Sequence, residues 1–215
     1  MPEFVDIPSP GWPLEFGEPG RPAVVIIHDG YGRLPYLESY AKALAHQGFF
    51  VLVPDLFDGL ATIDAEGADE LVARAEPGFA LATALDAVGM GRAHGATRVG
   101  VIGLGYGGEH ALRLGQSGSA DAVAAYYAVL GDDEADLIPC PVLLHRPAGS
   151  DWANGVDVDG FVSRLKEHGT PATQHSYTTA HAGFANATLV PLLDKNAAAL
   201  AFARTTYFLQ AQLLD

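Results

Sequence analysis

The stretch Arg98-Val-Gly-Val-Ile-Gly-Leu-Gly-Tyr-Gly-Gly108 decides how the chain is read. Its first half is short, apolar and β-branched, as suits a strand buried on both faces. Its second half, Gly103 to Gly108, is a glycine turn, and Glu109-His-Ala-Leu-Arg-Leu-Gly115 continues with helical spacing. A strand–glycine–helix turn has two common uses. One is the dinucleotide fingerprint G-x-G-x-x-G, which 103–108 matches letter for letter. The other is the elbow G-x-Nu-x-G, whose flanking glycines let a strained turn expose a central nucleophile. The fingerprint belongs on the first strand of its fold, with an acid roughly 20 residues later. Here two strands precede the turn, and Asp121 lies 13 residues past Gly108, before rather than after the next strand. Those mismatches favour the elbow.

Outward from this turn, strand and helix patterns alternate. Upstream, AVVIIHD (23–29) and FFVLVPDLF (49–57) read as buried strands, with a helix at 37–47 stopped by Gly48. Residues 69–94 read as one or two helices with a break at Pro77. Downstream, AVAAYYAVL (122–130) and PVLLHR (141–146) are strands, 157–168 is helical, ATQHSY (172–177) is extended, and 191–213 is a long final helix. This alternation predicts an α/β fold: a mostly parallel, doubly wound sheet with helices on both faces. At 215 residues one domain is the default, with no large cap domain, internal repeat or linker. Residues 23–215 form that domain. Residues 1–22, rich in Pro and Gly, are expected as an extended arm or irregular edge hairpin of it.

Composition bounds the function. Twelve basic against 26 acidic residues give a net charge of −14, which argues against nucleic acid or an anionic membrane as partner. No apolar run reaches the roughly 20 residues that span a bilayer, and the N-terminus lacks a signal-peptide layout. Cys140 is the only cysteine, so an intrachain disulfide and a paired-Cys metal site are ruled out, and a cytoplasmic location is the simplest expectation. The acidic run Asp132-Asp133-Glu134-Asp136 lacks the alternate ligands and glycine turn of a hard-cation loop and reads as a solvated loop. Neither a metal nor a cofactor is expected.

In doubly wound sheets ligands sit outside the C-terminal ends of the strands. His28-Asp29-Gly30 follows the first buried strand there, the glycine turn the third, Arg146 to Asp151 the fifth, and Ala180-His181 the last. An elbow calls for partners in the order nucleophile, acid, histidine. Asp151 in PAGSD and His181 in TTAHAGFAN fall in that order. A carboxylate can hold an imidazole in one tautomer, and the imidazole can then act as a base.

The motifs together resemble the dienelactone hydrolases, an α/β-hydrolase family. PAVVIIHDGYG…LAHQGFFVLVPDLF is similar to that family's opening, VGVIGLGYGG to its elbow G-x-C-x-G-G, PCPVLLHRPAGSDW to its acid strand, and HSYTTAHAGFAN to its histidine loop. The likeness spans about residues 22–210. It implies Asp151 as the acid, His181 as the base, and the backbone N–H groups of Gly30 and Tyr106 as an oxyanion hole. Asp29 falls on the family's acid beside the nucleophile, and Gly105 on the nucleophile itself. His28, Asp29, Tyr31, Tyr36 and Trp152 are expected to line the substrate pocket, while His110 and His145 read as packing or surface residues.

Glycine cannot form an acyl-enzyme. Substitutes are poor: Cys140 starts its strand at the wrong end of the sheet, Ser150 has no elbow, and the Tyr106 side chain is expected to point away. A strained turn also suits glycine without any chemistry. The expectation is therefore a hydrolase-family protein whose ligand is a small lactone, ester or related carbonyl compound. It is limited to noncovalent His181/Asp151 general-base chemistry unless the glycine is an engineered substitution. The alternative is an inactive pocket protein that binds a small ligand or partner. Either a monomer or a homodimer fits.

Overall fold

A computed structural model describes residues 3–134, 137–149 and 151–214. Seven strands form the central sheet: β2 (Leu14–Phe16), β3 (Ala23–Ile27), β4 (Phe50–Val53), β6 (Val99–Leu104), β7 (Ala122–Tyr126), β8 (Val142–Pro147) and β9 (Ala172–Tyr177). Their order is β2-β4-β3-β6-β7-β8-β9, and every pairing is parallel except that of β2 with β4. The helices are α1 (Tyr36–Ala45), α2 (Ala65–Arg74), α3 (Pro77–Ala93), α4 (Tyr106–Gln116), α5 (Val158–Glu167) and α6 (Lys195–Leu213). Among the described residues none of them is long and apolar enough to cross a membrane.

The period-two geometry of a strand sends alternate side chains to opposite faces, and two cores result. Val25, Leu52, Val101, Val123 and Leu144 pack under α3, α4 and α5. Val24, Ile26, Val51, Ile102, Ala124 and Leu143 pack under α1 and α6. Burial on both faces explains why β3, β4, β6 and β7 are continuously apolar rather than alternating. α6 comes so close to β6 that a Cβ at Gly100 would lie 2.8 Å from both Leu209 and Leu213.

Several boundaries differ from the sequence reading. The second strand ends at Val53, because Pro54 has no N–H for the ladder and Asp55 turns the chain, accepting from the N–H of Phe57 (3.1 Å) and Gly59 (2.6 Å). β7 stops at Tyr126, because Tyr127 takes φ +40°. The final helix starts at Lys195, where the Asp194 carboxylate caps it by accepting from the N–H of Asn196 (3.1 Å) and Ala197 (3.0 Å). Residues 69–94 are two helices, with Pro77 opening the second. The N-terminal arm is no hairpin. β1 (Phe4–Asp6) pairs antiparallel with β5 (Leu60–Thr62), while β2 is an edge of the main sheet.

Candidate active site

The C-terminal ends of the parallel strands open onto a cavity of about 420 Å³. Asp29, Gly30 and Tyr31 reach it from the loop after β3, and Gly105, Tyr106 and Glu109 from the β6–α4 turn. Tyr127 lines it from the end of β7, Trp152 and Asn154 from the turn after β8, and Ala182 and Gly183 from the loop after β9. One face of α2, including Ala68, Asp69 and Val72, closes the remaining side. The loop residues brought together are those that the alternation of strand and helix sends to one end of the sheet.

The glycines of the β6–α4 turn have different reasons to be there. A Cβ at Gly103 would lie 2.6 Å from Gly108 Cα, and one at Gly107 would lie 2.5 Å from the carbonyl oxygen of Ile27. A Cβ at Gly108 would run into Ala128. Close packing of helix against sheet therefore demands these three. Gly105 is different. The nearest neighbours of its Cβ would be Tyr127 at 3.4 Å and Asp29 at 3.6 Å, which are ordinary contacts, so the space admits a Cβ. What favours glycine there is the backbone, at φ +49° and ψ −116°. Packing and backbone geometry account for the glycines of this turn.

Two backbone donors belong to residues that share the cavity with Gly105. The N–H of Gly30 donates to no acceptor among the described residues. The N–H of Tyr106 belongs to the first residue of α4, where no intrahelical acceptor exists. Both residues line the cavity. Asp29, beside Gly30 in the loop after β3, is 3% exposed. Burial raises its pKa above the usual carboxylate range. The Asn186 amide, which donates to Oδ2 at 3.1 Å, and the N–H of Tyr31, which donates to Oδ1 at 3.1 Å, oppose that rise without cancelling it. Tyr127 is 5% exposed, and its hydroxyl has no hydrogen-bond partner among the described residues. Burial first, and then the Asp29 charge, lifts its pKa well above that of an ordinary tyrosine.

Of the residues singled out in the sequence, Asp29, Gly30, Tyr31, Gly105, Tyr106 and Trp152 line this cavity. His28 and Tyr36 do not. His28 is fully buried beneath it; the Leu56 N–H donates to Nε2 at 2.9 Å, so Nδ1 carries the proton and donates to the Asp29 carbonyl at 2.7 Å. That imidazole ties β3 to the chain after β4 and has no nitrogen left for a ligand. Tyr36 is also buried, at the start of α1, and its hydroxyl has no hydrogen-bond partner among the described residues. Asp151 and His181 are exposed, stand outside the lining, and share no hydrogen bond or ion pair among the described residues. Their neighbours Trp152 and Ala182 do reach the cavity. Cys140 is buried at the foot of β8, with burial lifting its thiol to about 11. Ser150 and Asp136 lie outside the described residues. Among the described residues no group of three His, Cys, Asp or Glu side chains is placed to hold a metal ion.

Tyr127, Asp69 and Glu109 are lining residues that the sequence reading missed. Glu109 follows the glycine turn by one residue, and a helix start beside a ligand cavity was signal enough to find it. Tyr127 depended on where β7 stops.

A mostly parallel sheet of this order, with its cavity over the strand ends, defines a single-domain α/β-hydrolase fold. Solved structures share it over nearly the whole chain. A dienelactone hydrolase-like promiscuous phosphotriesterase from metagenomic libraries is 18% identical, with a TM-score of 0.75, covering 99% of this chain and 98% of that one. An esterase from Pyrobaculum calidifontis is 17% identical, with a TM-score of 0.66, covering 98% and 85%. An α/β hydrolase from a Medee basin deep-sea metagenome library is 18% identical, with a TM-score of 0.62, covering 90% and 85%. The chain belongs to the dienelactone hydrolase family, whose model matches residues 15–213. No curated protein matches it.

Proposed function

We propose that Gly105 stands at the family's nucleophile position, and that the chain handles a small lactone, ester or related carbonyl compound without a covalent intermediate. The observation that carries this reading is the pair of free backbone donors in Gly30 and Tyr106, residues that line one cavity together with Gly105, which has no side chain. Such preorganised donors stabilise charge that develops on a carbonyl oxygen, each worth about 10²–10³ in rate. A water molecule fits where the nucleophile's side chain would stand. It attacks the carbonyl carbon, its proton passes to a base, and that proton then goes to the departing alkoxide. General-base help is worth about 10²–10⁴.

Two groups compete for the base. The family resemblance gives the role to His181, held by Asp151. Ala182 and Gly183 already reach the cavity, so a modest shift of that loop brings His181 in, and catalytic hydrogen bonds often tighten only with substrate bound. Asp29 is the carboxyl already inside. A second reading, a pocket that binds such a compound without turning it over, is favoured by the unlinked, exposed Asp151 and His181.

Turnover of an activated ester and a small lactone by the parent, Gly105→Cys, His181→Ala and Asp29→Asn separates these readings. Parent activity lost in His181→Ala or in Asp29→Asn identifies the noncovalent base. An inert parent beside a Gly105→Cys variant whose activity needs His181 supports the pocket without turnover. If parent and Gly105→Cys are both inert, the assignment of Gly105 is wrong.

A further inference from the structure

The cavity beside Gly105 has a one-sided charge. Its described lining holds three carboxyls, Asp29, Asp69 and Glu109, and no Lys, Arg or His. The cation closest along α4, Arg113, is already committed. Its Nε donates to Glu134 Oε1 at 2.7 Å and its second nitrogen to Oε2 at 3.1 Å, leaving Glu109 the longest contact at 3.5 Å. Asp69 is exposed on α2 with no ion pair among the described residues. Half-buried Tyr31, Tyr106 and Trp152 add aromatic rings to the same wall. Tyr127 also lines the cavity, and its buried hydroxyl has no hydrogen-bond partner among the described residues.

An anionic ligand placed here meets like charge and finds no side-chain cation to pair with. The net charge of −14 adds to that repulsion over a longer range. An ammonium group meets the opposite: carboxylates to pair with, and ring faces that attract cations within about 6 Å. We propose that the ligand of this cavity carries an ammonium group and no carboxylate or phosphate, and that Asp69, Glu109 and the aromatic wall recognise that group. The carbonyl half of the ligand rests on the function proposed above; the ammonium half rests on the lining alone.

The experiment is calorimetric titration of the full chain with α-amino-γ-butyrolactone, γ-butyrolactone and a carboxy-substituted butyrolactone, at low and high salt, with benzylammonium and benzoate as ligands without the lactone. The amino-lactone is expected to bind at least about tenfold tighter than the carboxy-lactone, with the gap narrowing at high salt as exposed charges are screened. Asp69→Asn and Glu109→Gln should each narrow it severalfold while leaving the far-ultraviolet circular dichroism unchanged. If benzylammonium binds over benzoate but no lactone binds, the ammonium site stands and the carbonyl reading falls. Carboxylates binding as tightly as amines, amine binding indifferent to both substitutions, or no amine binding at all would each overturn the proposal.

Discussion

Replacing Gly105 with alanine tests the account of the β6–α4 turn most directly. The structure separates two costs that are usually confounded at a glycine. Space is not limiting, because the new Cβ meets Tyr127 at 3.4 Å and Asp29 at 3.6 Å. The backbone is limiting, because φ +49° with ψ −116° lies where L-residues are sparsely found. Holding a residue in such a region costs about 1–3 kcal/mol. For a chain of this size each kcal/mol moves Tm by about 2–4 °C, so Gly105→Ala should lower Tm by about 2–12 °C and remain folded. Gly107→Ala is the control. Its Cβ would lie 2.5 Å from the Ile27 carbonyl oxygen and as close to that of His28, main-chain atoms at the C-terminal end of β3 that have little room to move. Overlap of that kind exceeds the usual 1–3 kcal/mol of overpacking, and that variant should fail to fold cooperatively. Thermal and urea unfolding followed by circular dichroism read both. Equal losses for the two variants would refute the separation of strain from space. No loss in Gly105→Ala would refute the strained turn.

Four further outcomes are expected. Tyr127→Phe should leave stability unchanged or slightly higher, because its buried hydroxyl has no partner among the described residues to lose. Tyr126→Phe should cost about 1–3 kcal/mol, because it cuts the hydroxyl chain from Tyr40 (2.9 Å) to Thr205 (2.7 Å); urea midpoints of the two variants decide this. Asp29 has a raised native pKa, so its neutral form is favoured on folding; the stability it contributes is present below its ordinary pKa and lost as pH rises through the native one. Asp29→Asn should therefore gain on the parent as pH is raised from acid to neutral, and a pH-independent difference in urea melts would rule this out. His145 bonds Tyr177 through Nδ1 and Thr205 through Nε2, both at 2.8 Å, and burial holds its pKa down at about 3. Its contribution is lost as pH falls from the ordinary histidine range toward that value, and ring-nitrogen NMR should find it neutral at pH 5.

Much of the fold was legible because it rests on local rules. Continuous β-branched runs marked strands buried on both faces, and alternation with helical spacing fixed a parallel sheet. Errors arose where a single backbone or side-chain event ended an element. Pro54 and the Asp55 turn cut β4 short, Tyr127 cut β7, and the Asp194 cap delayed α6 by four residues. Of the two readings of the N-terminal arm, the hairpin fails because partners far along the chain, β4 and β5, decide where β2 and β1 pair.

The site was legible by position and less so by orientation. Knowing that a residue follows a strand's C-terminal end places it at the right end of the sheet, and Asp29, Gly30, Tyr31, Gly105, Tyr106 and Trp152 line the cavity for that reason. The same rule put His28 there too. But His28 is one residue nearer the strand, and one residue in extended backbone turns a side chain to the opposite side. Asp29 therefore faces the cavity with an elevated pKa, while His28 is consumed by Leu56 and the Asp29 carbonyl. Asp151 and His181 illustrate the converse. Their order along the chain was readable, but whether two exposed side chains on separate loops meet is set by loop conformation, to which strand periodicity gives no access. The glycine-rich turn combines both lessons. Its letters matched the dinucleotide fingerprint in full and the elbow in all but the nucleophile, and position along the chain favoured the elbow; the packing at Gly103, Gly107 and Gly108 against the looser contacts at Gly105 then tells the structural glycines from the one where a Cβ could stand.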